Sequence, residues 1–266
     1  MKELNIIVTI KQVQDASKIK IDPKTNSLIR EGVPSFINPE DLNAVEAALC
    51  LREKHGARIT VLTMGPSQAE EALEEVIAMG ADRGILLTDR AFAGSDTLIT
   101  AFAISRAIMK MKDFDLILCG RQAIDGDTAQ VGPQIAGFLD LPQATYASEI
   151  TLDDDHFIVK RELEDCAELI RLRYPALITV TTEINRPRYP ALNNIGIACD
   201  GSRISQWSIA DLQIPQSMLG LNASPTIVRD IFEPDRNKKC EFISGNETEM
   251  VNDLLDKLRE LNFIQN

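Results

Sequence analysis

A chain of 266 residues with 44% hydrophobic positions has the material for a substantial core, and its formal charge of −12 argues against nucleic acid and anionic membrane surfaces as partners, both of which need clustered Lys and Arg. Five cysteines, Cys50, Cys119, Cys166, Cys199 and Cys240, are scattered without a C-x-x-C pair or matching histidine spacing, so they read as reduced thiols rather than as disulfides or as zinc or iron–sulfur ligands. No apolar run is long enough to span a bilayer, and a strand expected straight after Met1-Lys2-Glu3 leaves no room for a signal or transit peptide, which places the chain in the cytoplasm of a prokaryote.

Short β-branched runs alternate with helical patterns from the start. The spacing predicts strands at 4–10, 58–63, 84–87 and 116–119, with helices at about 39–54, 67–79 and 95–110 between them. Such alternation calls for an α/β fold, an open, doubly wound, mostly parallel sheet covered by helices on both faces. Asn38-Pro39-Glu40-Asp41 supplies a cap residue, a proline at the first helical position and acids in the first turn. Gly65-Pro66-Ser67 opens the next helix, and Gly80 closes it as a left-handed cap. Residues 18–22 and 27–30, around Pro23-Lys24-Thr25-Asn26, read as a hairpin inserted after the first strand. A second hairpin is expected from 157–163 and 168–173, followed by a buried strand at 177–182. Asn185-Arg186-Pro187-Arg188-Tyr189-Pro190-Ala191-Leu192, with its prolines and arginines, reads as a structured loop. Beyond Gly201 the pattern thins through Trp207 and the proline-bearing stretch 224–239 to an amphipathic helix at about 247–261. The expected organisation is an α/β nucleotide-binding domain with hairpin insertions over 1–200 and a C-terminal arm and helix over 201–266.

Chemistry concentrates at three strand ends: Lys11-Gln12-Val13, Met64-Gly65-Pro66 and the run from Gly120 to Gly132. Ligands of open parallel sheets sit at such carboxyl ends. In the last run a buried strand ends at Gly120, and small and acidic residues with a hydroxyl (Asp125-Gly126-Asp127-Thr128) precede a helical pattern at Pro133, Ile135, Ala136, Phe138 and Leu139. Unpaired N–H groups at that helix start suit a phosphate. Asp125 and Asp127 would repel one unless turned away, and a plain strand-to-helix turn uses the same residue types. Lys11 also reads as a surface lysine and Asn38 as no more than a cap. There is no G-x-x-x-x-G-K-[ST] and no G-x-G-x-x-G after the first strand, so neither a Walker-type NTPase nor an ordinary dinucleotide fingerprint is indicated. His55 and His156 lie in charged contexts, and no nucleophile–base–acid arrangement is visible, which leaves no catalytic acid or base and no metal site to name.

Several blocks together resemble the β subunit of electron transfer flavoprotein along nearly the whole chain. They are Val8-Thr9-Ile10-Lys11-Gln12-Val13, Asn38-Pro39-Glu40-Asp41 with Ala44 and Glu46, Met64-Gly65-Pro66-Ser67-Gln68-Ala69-Glu70, Ala78-Met79-Gly80-Ala81-Asp82-Arg83, the Gly120 to Pro133 run, and Asn185-Arg186-Pro187-Arg188-Tyr189. The resemblance implies an adenine-nucleotide α-hydrolase-like sheet and a heterodimer with a larger, FAD-carrying α subunit, which the C-terminal arm would contact. It implies an adenine nucleotide held by Thr9, Lys11, Asn38, Asp41, Met64, Gly120, Asp125, Thr128, Gln130, Val131 and Gly132, with backbone amides and the Thr128 hydroxyl on phosphate oxygens. Some members hold AMP there as a structural element. Others, which bifurcate electrons, hold a second FAD that takes hydride from NADH and serves ferredoxin and an acyl-CoA or hydroxy-acid dehydrogenase. The small residues of Asp125-Gly126-Asp127-Thr128-Ala129-Gln130-Val131-Gly132, the hairpin sequence Ile21-Asp22-Pro23-Lys24-Thr25 and the stretch from Arg90 to Thr97 resemble the FAD-binding group. By the same resemblance Leu192 is the apolar knob that docks a flavin-dependent dehydrogenase. A universal-stress-type nucleotide-binding regulator shares the expected sheet but carries neither the long tail nor the 185–192 loop.

Overall fold

A computed structural model of the chain describes residues 3–14, 20–21, 28–29, 34–229 and 240–264. The chain forms two compact units, Met1–Arg229 and Asp230–Asn266.

The larger unit is built on a nine-stranded sheet in the order β11-β10-β9-β12-β8-β1-β6-β7-β13. In chain order its strands are β1 (Leu4–Ile10), β6 (Ala57–Met64), β7 (Arg83–Leu87), β8 (Leu116–Gly120), β9 (Gln143–Asp153), β10 (His156–Glu162), β11 (Ala167–Arg173), β12 (Ala176–Val180) and β13 (Ile204–Trp207). Every pairing is parallel except those of β10 with β9 and β11. Two short antiparallel ribbons stand apart, β2 (Gln12–Gln14) with β5 (Ser35–Ile37) and β3 (Lys20–Ile21) with β4 (Leu28–Ile29). The second ribbon is the hairpin expected after the first strand; its turn, Pro23 to Asn26, lies outside the described residues.

Period-two alternation divides the core between the two faces of the sheet. Ile6, Val8, Leu116, Leu118 and Ile178 pack with helices α1 (Pro39–His55) and α2 (Glu70–Met79). Ile7, Ile117, Cys119 and Leu177 pack on the other face with α3 (Thr97–Met111) and α4 (Val131–Leu139). With both faces covered, all residues of β8 and β12 are buried, which is why these strands read as unbroken apolar runs. Helix α1 ends at Gly56, whose φ of 76° turns the chain while its N–H returns to the Arg52 carbonyl. At Gly80 φ is 130°, and its N–H bonds the carbonyls of Val76 and Ile77.

Three elements depart from the sequence reading. Strand β9 was not foreseen because its alternation is interrupted by a register shift, at which Tyr146 takes φ 60°. The segment after Ala191 is helical, α5 (Leu192–Ala198), so Leu192 opens a helix on the end of α2, where the Ala191 N–H bonds the Ala78 carbonyl at 3.0 Å. Residues 201–229 belong to the larger unit: β13 pairs in parallel with β7, and α6 (Ile209–Leu212) follows. Beyond it Asp96 caps Ile99 N–H at 3.1 Å with one carboxylate oxygen and accepts Thr226 N–H at 3.0 Å with the other, tying this stretch to the start of α3.

In the smaller unit α7 (Glu247–Glu260) begins with a reciprocal capping box. Asn246 accepts the Glu249 N–H, and Glu249 accepts the Asn246 N–H, each at 3.0 Å. Acids in its first turn and Lys257 and Arg259 in its last suit the helix dipole, and none of its residues is buried. Among the described residues no helix is long and apolar enough to cross a membrane.

Candidate functional site

The carboxyl ends of β1, β6 and β8 meet the start of α1. Asn38 holds the cap position there, yet its side chain makes no capping bond to α1. Its amide donates to the Gln122 carbonyl at 2.8 Å and accepts the Ile124 N–H at 3.1 Å. Glu40 accepts the Gln122 N–H at 2.8 Å and pairs with Arg121 at 2.8 Å. Asp41 accepts the Lys11 N–H at 2.8 Å and the Gly120 N–H at 3.1 Å. The first turn of α1 thus uses its side chains on the loop after β8, forgoing a cap that typically contributes about 1 kcal/mol.

The loop keeps its acids occupied. Both Asp125 oxygens lie 2.7 Å from Lys11 Nζ, and Asp127 accepts the Gln122 side-chain amide at 2.6 Å. The Gly126 and Asp127 N–H groups bond the Ala123 carbonyl at 3.2 and 2.8 Å, and Asp127 and Ala129 adopt φ 51° and 52°. For Ala129 that left-handed conformation costs about 1–2 kcal/mol, an outlay that backbone presented to a ligand would explain. Helix α4 follows, and the N–H groups at its start have no carbonyl within the helix to bond.

Glycines serve two different purposes here. A Cβ at Gly126 would meet nothing within 4 Å, whereas one at Gly132 would stand 2.7 Å from Thr179 Cγ2. Gly132 is therefore set by packing of α4 on β12, although the sequence suggests backbone approach to a pyrophosphate. At Gly120 a Cβ would fall 2.3 Å from an Asp41 carboxylate oxygen.

Of the residues singled out from the sequence, Lys11, Asn38, Asp41, Gly120 and Asp125 share this one network. Thr9 is buried on β1 opposite Cys119 of β8, and Met64 is half-buried at the end of β6. Gln130 accepts the Thr97 hydroxyl at 2.8 Å, linking the loop to α3; Thr128 is exposed and Val131 half-buried. Glu40, Arg121 and Gln122 were not singled out, because two acids in a first turn read as partners of the helix dipole. Arg121 also lies over the Tyr146 ring at 5.6 Å.

Burial dominates the electrostatics. It raises the Glu40 carboxyl above its ordinary range despite the hydrogen bond from Gln122 and the charge of Arg121, and it pushes Asp41 up to about 7 despite two backbone donors and the Asn38 side chain. The Cys119 thiol is pushed up to about 12 by burial, which makes it inert. Among the described residues no group of His, Cys, Asp and Glu could hold a metal ion.

Leu192, the docking residue expected from the sequence, is 83% exposed. The segment before it is clamped to α1. Arg188 meets Glu46 through two nitrogens at 2.8 Å and also pairs with Glu53, while the side-chain amides of Asn43 and Asn185 each donate to the other's backbone carbonyl, at 2.9 and 3.0 Å. Burial would raise the Glu46 carboxyl, but the Arg188 hydrogen bonds outweigh it and hold it below the ordinary range.

A model of the electron transfer flavoprotein domain matches residues 25–210. The chain is 49% identical over 261 residues to electron transfer flavoprotein subunit beta of Thermoanaerobacterium thermosaccharolyticum, covering 98% of this chain and 100% of that one. It is 46% identical over 263 residues to the caffeyl-CoA reductase-Etf complex subunit CarD of Acetobacterium woodii, with 98% and 100% covered. To the acryloyl-CoA reductase electron transfer subunit gamma of Anaerotignum propionicum it is 42% identical over 269 residues, again with 98% and 100% covered.

Proposed function

The chain belongs to the electron transfer flavoprotein β-subunit family, and from that premise we propose that it holds FAD at the loop between β8 and α4 and relays electrons from NADH to protein partners. The observation that carries this reading is the loop itself. Its acids are turned onto Lys11 and Gln122, it has a residue in strained left-handed backbone, and it leads into a helix start with unpaired amides. Lys11 has three ammonium hydrogens and gives two contacts to Asp125, which leaves one for a phosphate oxygen. The exposed Thr128 hydroxyl and the amides of Gln130 to Gly132 complete the phosphate side, and Met64 offers an apolar surface to a ring.

A bound flavin would supply hydride acceptance from NADH and one-electron delivery; the chain's own residues bind and orient it. We infer an α-subunit partner contacted by the C-terminal arm, a cytoplasmic location, and a flavin-dependent dehydrogenase docked at Leu192. The names of the caffeyl-CoA and acryloyl-CoA reductase relatives support an enoyl-CoA substrate for that dehydrogenase. Ferredoxin is the low-potential acceptor in this reading.

The test is anaerobic NADH titration of the complex with its α partner, with ferredoxin and an enoyl-CoA dehydrogenase present. NADH-driven ferredoxin reduction that requires the dehydrogenase and its acyl-CoA substrate supports the proposal. Electron passage to the dehydrogenase with no ferredoxin reduction makes the chain a simple carrier, the outcome expected with structural AMP in the site.

A further inference from the structure

We propose that Asp41 is the positioning residue of this site: its carboxylate, inserted where β1 and β8 part, holds the Lys11 and Gly120 amides and so sets the loop that faces the phosphates. The two strands pair as far as Thr9 and Cys119. Past that point the amides of Lys11 and Gly120 do not bond across the ladder, and both donate to Asp41, one to each carboxylate oxygen. Only a group with two acceptor oxygens on one short stem does this. An asparagine would offer one acceptor and turn an amide donor against the other N–H. Gly120 is part of the same device, since an added Cβ would lie 2.3 Å from the Asp41 oxygen and displace it.

Around Asp41 the neighbouring side chains extend the template. Glu40 fixes the Gln122 N–H, and Asn38 fixes Ile124 N–H and the Gln122 carbonyl, so with Asp41 three polar side chains flanking Pro39 shape the loop. The charged or titratable groups that face Asp41 are Glu40 and its partner Arg121, the Cys119 thiol, and Lys11, whose ammonium is taken by Asp125. None of them pairs with the Asp41 carboxylate, whose direct compensation comes from its two backbone donors and the Asn38 side-chain amide. Burial places the loss of its charge at about 7, and a protonated carboxyl gives up acceptor strength on the oxygen that carries the proton. Loop geometry, and with it nucleotide affinity, therefore weakens as the pH falls through that value.

The consequence for affinity rests on the nucleotide reading above, whereas the hydrogen bonds do not, and the experiment separates the two. In the full chain with its α partner, freed of nucleotide, the amide nitrogen shifts of Lys11 and Gly120 are followed from pH 5.5 to 9, and FAD and AMP affinities are measured over the same range. Wild type should show both amides moving together with one midpoint, and nucleotide binding that weakens toward acid. Asp41→Asn should show neither titration and bind at least tenfold more weakly at pH 8, near the acid limit of wild type. Wild-type affinity in Asp41→Asn at pH 8 overturns the proposal. Should that variant fail to fold, wild-type amides that do not titrate together overturn it alone. Failure of wild type to bind either nucleotide overturns the functional reading and leaves the amide titration to decide on Asp41.

Discussion

Helix α1 holds other segments of the chain with carboxylates at two places along its length, and the carboxyls there shift in opposite directions. At its start Glu40 and Asp41 hold backbone amides, and burial raises both carboxyls. Two turns further on Glu46 holds the Arg188 guanidinium, whose hydrogen bonds override burial and lower its carboxyl. At the first place the carboxylates shape the loop after β8, with Arg121 paired to Glu40 and Lys11 to Asp125. At the second the carboxylate anchors the segment that precedes the exposed Leu192. One helix thus carries carboxyls shifted in opposite directions, up where burial outweighs their partners and down where the Arg188 guanidinium outweighs burial.

The largest expected effect breaks the anchor. Arg188→Ala leaves Glu46 buried without its cation and should destabilise the fold by about 2–4 kcal/mol, below a fully buried pair because the guanidinium is partly exposed. Urea unfolding measures this, and nucleotide content of the folded fraction should be unchanged. Next, Gly132→Ala should cost about 1–3 kcal/mol through overpacking against Thr179, while Gly126→Ala changes stability by no more than about 0.5 kcal/mol; equal effects would contradict the different purposes of the two glycines.

The pH dependence sharpens the contrast by sign. Asp41 rises on folding from 3.8 to about 7, so its contribution is fully present below about 4 and is lost as pH climbs to about 7. Glu46 is lowered from 4.5, so its contribution is present above that value and is lost as pH falls through the lowered one. Unfolding free energies across pH 3 to 8 for Asp41→Asn should lack the first slope, and those for Glu46→Gln the second. The smallest effect on stability is at Leu192. Leu192→Ala should shift stability by no more than about 0.5 kcal/mol and leave bound flavin unchanged, while raising the dehydrogenase concentration needed for half-maximal electron delivery. Unchanged delivery would remove Leu192 as the docking residue.

Much of this contrast was legible in the sequence, but not its mechanism. The parallel core was readable because β1, β6, β7 and β8 are short apolar runs punctuated by Pro39, Gly56 and Gly80. The same pattern directed attention to the strand ends, where Lys11, Asn38, Asp41, Gly120 and Asp125 share one hydrogen-bond network. Strand β9 and edge strand β13 were hidden, one by the irregularity at Tyr146 and the other because Ile-Ser-Gln-Trp has no continuous apolar face. The roles of Glu40 and Asp41 were illegible for a physical reason: acids in a first helical turn answer the helix dipole equally well, and only long-range packing brings Gly120 and Gln122 to them. Arg188 and Glu46 each stood in a recognisable block, yet nothing local pairs residues 142 positions apart.

The most direct test of the central claim is a count of nucleotides. The complex with the α partner is denatured, and the released FAD and AMP are quantified by chromatography. Two FAD and no AMP per heterodimer is the predicted result; one FAD and one AMP would contradict it.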